Sequence, residues 1–166
     1  LPLARKILIH AAKAMPEHIG TWHALAWTEL LEGDVDAAEH SYQKAFEIDD
    51  NFADSHGGLA LVAALRGRTE EAERSIKRAL RLNAECPTAL YARSILLSDA
   101  GRTEDAELLL GAMLAGRGLP EGTSVRDFAS TCLSRAVWPA RFTTVARSAF
   151  ASSVSPRRAS SPTSSR

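Results

Sequence analysis

Two cysteines, Cys86 and Cys132, are all that the 166 residues hold; they lie 46 positions apart with no Cys or His beside either. Neither a disulfide framework nor a zinc site is suggested, and both read as small buried thiols. No apolar run approaches the roughly 18 to 20 residues that a membrane span requires. The catalytic templates are missing too: there is no G-x-S-x-G, no P-loop, no G-x-G-x-x-G and no H-E-x-x-H. Of the five histidines (His10, His18, His23, His40, His56), no two lie three or four apart on one helix face, which argues for surface or groove-lining side chains rather than metal ligands. The expectation is a non-enzymatic chain with no metal and no cofactor.

One sign of charge is also missing from one stretch. The formal net charge is zero, with 20 Lys and Arg against 20 Asp and Glu, but no acid follows Asp127. Residues 1–127 hold all 20 acids and 14 bases, a net of −6, and residues 128–166 hold six arginines. The two pieces have to be read separately.

What is present is a period of 34 residues. Gly33, Gly67 and Gly101 share it, as do Ala38, Ala72 and Ala106, then Glu39, Glu73 and Glu107, then Tyr42, Ile76 and Leu110, then Ala45, Ala79 and Met113. Apolar residues at helical spacing precede each glycine, as in Trp22, Leu25, Ala26 and Leu30. The glycine suits a left-handed helix stop. Asp36, Thr69 and Thr103 are then expected to cap a second amphipathic helix, with the acidic pairs Glu70-Glu71 and Glu104-Asp105 set against the positive end of its dipole. The unit is a pair of antiparallel helices. One pair cannot bury its apolar face alone, whereas three stacked pairs can, which predicts an all-α fold, an α-solenoid.

This pattern resembles the tetratricopeptide repeat (TPR) family. The first copy, residues 19–52, carries Trp22, Leu25, Ala26, Gly33, Ala38, Tyr42 and Ala45; the second, 53–86, carries Leu59, Ala60, Gly67, Ala72 and Ala79; the third, 87–120, carries Gly101 and Ala106 but has Arg93 where Leu25 and Leu59 sit. The resemblance implies a right-handed superhelix. Residues 1–18 then read as the second helix of a repeat whose first helix is absent, with an apolar edge that upstream sequence or self-association would cover. Residues 121–138 read as a capping helix ended by Pro139. Residues 139–166 form a basic Ser/Arg/Pro-rich tail without the apolar content to fold, for which three accounts stand open: a terminus with no specific role, a shifted reading frame, or a working tail carrying Arg157-Arg158-Ala-Ser160 as a phosphorylation site.

By the same resemblance, the first helix of each pair lines a concave groove, with His23, Trp27 and Leu31, Gly57, Leu61 and Leu65, and Tyr91 and Ile95 facing it. These columns read either as an apolar groove with aromatic anchors for a peptide or amphipathic helix, or as packing between helices and beneath the cap. The Lys, Asn and Arg of carboxylate-clamp TPR domains are missing, which disfavours chaperone C-terminal tails. The expected function is a cytoplasmic protein-binding scaffold with a protein or peptide partner and no membrane. A small TPR chaperone for a bacterial secretion substrate is one alternative. A nucleic-acid adaptor acting through the Arg tail is a second, disfavoured by the −6 of the array.

Overall fold

The structure, a computed structural model, describes residues 2–115. The expected capping helix (121–138), the tail (139–166) and the last residues of the third copy lie outside the described residues. Within them the chain is all-helical: α1 (Pro2–Ala14), α2 (Ile19–Glu32), α3 (Val35–Ile48), α4 (Ala53–Leu65), α5 (Thr69–Leu82), α6 (Pro87–Asp99) and α7 (Thr103–Ala115). Each helix packs on the next, and α4 packs on α6, giving a stacked array of hairpins. The buried centre is built from α2 to α6 around Leu30, Tyr42, Leu61, Val62, Ile76 and Ile95.

The glycine column makes three equal turns. Gly33, Gly67 and Gly101 have φ of 82°, 72° and 77°, the left-handed region that a side chain resists. At each turn the residue after the glycine returns its N–H to a carbonyl five residues back: Asp34 to Glu29, Arg68 to Ala63 and Arg102 to Leu97, each at 2.9 Å. The glycine's own N–H bonds the carbonyl three residues back, at 3.0 Å in each turn, and this double closure satisfies carbonyls that a helix end leaves open. It also moves the caps relative to expectation. Asp34, not Asp36, caps α3, accepting the Ala37 N–H at 3.1 Å, and Arg68 holds the corresponding place before α5 without a side-chain cap bond. Thr69 and Thr103 are the first residues of α5 and α7 rather than their caps. The glycine and the one residue after it complete the turn, so the next helix starts earlier than a Thr-capped start would.

Gly57 and Gly58 set the spacing inside the array. They are neighbours in α4 but point to different sides, about 100° apart. A Cβ on Gly57 would lie 2.8 Å from Cys86 Sγ and 3.0 Å from the Ala89 backbone nitrogen, and would overlap Thr88, so its absence is what lets α4 and α6 approach backbone to backbone. A Cβ on Gly58 would overlap the Tyr42 ring, which is fully buried. Cys86, at that α4–α6 contact, is a buried thiol 3.3 Å from Thr88 Oγ1, and burial raises its pKa.

Successive repeats are also tied by ion pairs on the side of the second helices, at three columns spaced by 34. In the first interface Arg5 bonds Glu32 at 3.3 Å and Asp34 at 2.8 Å, and lies 3.5 Å from the buried Glu29. In the second the signs are exchanged: Glu39 stands where Arg5 stood, and pairs with Arg66 at 3.1 Å and Arg68 at 2.5 Å, the counterparts of Glu32 and Asp34. Arg66 also pairs with Asp36. The third interface has Glu73, Ala100 and Arg102 at these columns, and Arg102 turns to Asp105 at 2.7 Å instead.

Candidate partner-binding groove

The open face of the array runs along α2. Gly20, Ala24, Trp27 and Leu31 recur at helical spacing on one side; Gly20 and Ala24 are exposed, and Trp27 and Leu31 are half-buried. The small residues one and two turns ahead of Trp27 leave the indole's outer edge uncovered, while its inner edge packs on the central core. Thr21, Leu25, Ala26, Thr28, Glu29 and Leu30 occupy the opposite, buried side. One repeat further, half-buried Leu65 packs on the same core.

Along α4 and α6 the corresponding positions are closed. Leu61 and Ile95, the repeat counterparts of Trp27, are 0% exposed, and Gly57 is buried as well. They pack helix on helix and have no surface to give a partner. The column of His23, Gly57 and Tyr91 does not line an open groove as a row: Gly57 faces α6, Tyr91 packs on the cluster of Leu97, Ala106, Leu110 and Met113 beside α7, and His23 reaches α4. Of the eight expected groove residues, Gly57, Leu61 and Ile95 are buried, Trp27, Leu31 and Leu65 keep exposed apolar surface with His23 at their border, and Tyr91 is half-buried but turned to the α7 cluster. What set this pattern was side-chain size at one column. A His at position 23 keeps α2 and α4 apart in backbone, whereas a Gly at 57 lets α4 and α6 close. The exposed, small Gly20 and Ala24, which open the Trp27 face, follow from the same 3.6-residue periodicity.

His23 is held tightly at the inner edge. Its Nε2 lies 3.0 Å from Ser55 Oγ, and its ring meets Tyr42 and Phe52 edge-on at 5.6 and 5.3 Å between centroids. Desolvation pushes its pKa below the usual 6.5, with Asp54 pulling the other way. A depressed pKa means that the folded state binds the proton less readily than the unfolded chain. Stability is therefore held above about pH 6.5 and lost as pH falls through the folded value, at no more than about 1.4 kcal/mol per pH unit for one proton. Thermal midpoints measured from pH 7.5 to 5.5 are expected to fall more steeply for the wild type than for His23→Gln, which keeps a polar group near Ser55 without a titrating ring. Parallel curves would remove His23 from the account.

Among the described residues, no group of three or more His, Cys, Asp or Glu is disposed to hold a metal ion, and no helix is long and apolar enough to cross a membrane. In comparison with known proteins, residues 19–52, α2 and α3 with their turn, match the family model of the tetratricopeptide repeat. No curated protein gives a significant match.

Proposed function

We propose that this chain, whose residues 19–52 match the tetratricopeptide repeat model, is an interaction scaffold of that kind and binds a protein partner through the open face of α2. The carrying observation is Trp27, half-buried between exposed Ala24 and half-buried Leu31 on a helix whose other side is locked into the core. An aromatic ring fixed on one edge and free on the other offers a large apolar contact at little cost in side-chain entropy. The width of the face, one helix with Leu65 beside it, suits an apolar peptide or one face of an amphipathic helix.

The test uses the full chain to recover a partner by affinity capture, followed by titration calorimetry of that partner against two variants. Trp27→Ala is expected to weaken binding by at least tenfold, in the range of an interface anchor, and Ala24→Glu to do the same by placing a charge on the open face. Ala24 is exposed, so the thermal midpoint of Ala24→Glu should stay within a degree or two of wild type. Unchanged affinity in both variants would refute the proposal.

A further inference from the structure

A second surface lies on the opposite side of the array, where the third inter-repeat ion-pair latch is open. Between α5 and α6 is a cleft of about 560 Å3, within the range of ligand pockets. Ile76, Leu80, Leu96 and Leu97 form its apolar floor, and Lys77, Arg81, Arg93 and Arg102 ring it, with Glu73 the one acid. Arg102 is paired with Asp105, whereas the side chains of Lys77, Arg81 and Arg93 make no ion pair or hydrogen bond among the described residues.

Two departures from the chain's own repeat create this site. Position 93 is Leu in the first two copies: Leu25 is 4% exposed, and Leu59 packs against the core. In the third copy Arg93 holds a charge at that column and is exposed. Position 100 is Glu32 and then Arg66 in the earlier copies, each part of a latch; Ala100 leaves Glu73 without that partner. Together they leave an apolar floor open beneath three cations that no described acid pairs. The setting sharpens the point. In residues 1–115 eighteen acids outnumber twelve Lys and Arg, yet four of the twelve gather here around one acid. The equivalent cleft at the first interface, lined by Ile9, Ala12, Leu25 and Glu29 among others, is only about 210 Å3.

We propose that this cleft docks an acidic amphipathic helix of a protein partner, its leucine-type side chains on the aliphatic floor and its carboxylates on Lys77, Arg81 and Arg93. The floor argues against nucleic acid: it holds no aromatic ring on which a base could stack, and the cations surround a closed patch instead of following a strand. Carboxylates spaced three or four residues apart along a helix match side chains borne by two facing helices. The site is independent of the α2 face, so one chain could hold two partner segments at once.

The experiment is fluorescence anisotropy of the full chain with a labelled 15-residue helical peptide carrying Leu on one face and Glu on its flanks. Its Lys counterpart and a dT15 oligonucleotide serve as comparison probes. The Glu peptide is expected to bind, to weaken as salt rises from 50 to 300 mM, and to lose roughly tenfold or more in affinity with Lys77→Glu/Arg81→Glu/Arg93→Glu. Trp27→Ala should leave this binding unchanged, which separates it from the groove. Arg93→Leu restores the repeat's own residue and guards against a misfolded triple variant; it is expected to fold at least as stably and still lose about fivefold in affinity. No binding of the Glu peptide, equal binding of the Lys peptide, equal affinity in Arg93→Leu, or tighter binding of dT15 would each overturn the proposal.

Discussion

Gly58→Ala is expected to destabilise the protein by about 2 kcal/mol, although alanine is the better helix former by about 1 kcal/mol. The added methyl meets the Tyr42 ring, with Cζ at 2.6 Å and two other ring carbons closer still. The ring is fully buried, enclosed by the core and by His23 edge-on, so it has no vacant space to turn into. Overpacking of that kind forces helices apart or rotamers off their minima. At about 4 °C per kcal/mol for a chain of this size, the midpoint should fall by about 8 °C. A double-mutant cycle locates the cause. Tyr42→Leu alone should destabilise, but in the Gly58→Ala background it should cost much less, because the smaller side chain removes the clash. Additive effects would show that the ring is not what the glycine accommodates.

Arg5→Glu is expected to cost about 3 kcal/mol, more than any exposed ion pair would account for. Arg5 is the cation shared by Glu29, Glu32 and Asp34, and the Glu29 side chain is only 6% exposed. Desolvation already raises the Glu29 pKa, with Ser41 at 2.7 Å and Arg5 stabilising its charged form. Reversing Arg5 would place four carboxylates together, one of them buried. The second interface shows how the same columns work with opposite signs, so Arg5→Glu combined with Glu32→Arg should recover about half the loss, measured as the thermal midpoint. Recovery would remain partial because Asp34 is kept as the α3 cap and Glu29 stays unpaired. The exchange of signs between interfaces also discriminates stacking order. An array shifted by one repeat would set Arg5 against Arg66 and Arg68, a repulsion that favours the native register.

The 34-residue column of Gly33, Gly67 and Gly101 carried the hairpin architecture into view from sequence, because a left-handed stop between two amphipathic runs leaves the chain few other folds. The helix caps were displaced by one or two positions because Asp34, Arg68 and Arg102 complete the turn themselves. The groove was legible only in part. His23, Gly57 and Tyr91 share a repeat position, but what each touches depends on how closely the neighbouring helix approaches, and that distance is fixed by Gly57 meeting Cys86 and Ala89 across the fold. Leu61 and Ile95 share the position of Trp27 for the same reason and are covered. The α5–α6 cleft had a visible signal in Arg93 at a leucine column. Its meaning required knowing that Glu39 bonds Arg66 and Arg68, since only then does Ala100 read as a missing latch.

The central claim is that a partner contacts the Trp27 face of α2, and site-specific photo-crosslinking tests it most directly. A benzophenone side chain would be placed singly at Ala24, at Leu31 and, on α7, at Leu108, which is 72% exposed. With the partner recovered by the full chain, Ala24 and Leu31 positions are predicted to give crosslinks that disappear on adding unlabelled wild type, and Leu108 to give none. Crosslinks from Leu108 without any from Ala24 or Leu31 would contradict the claim.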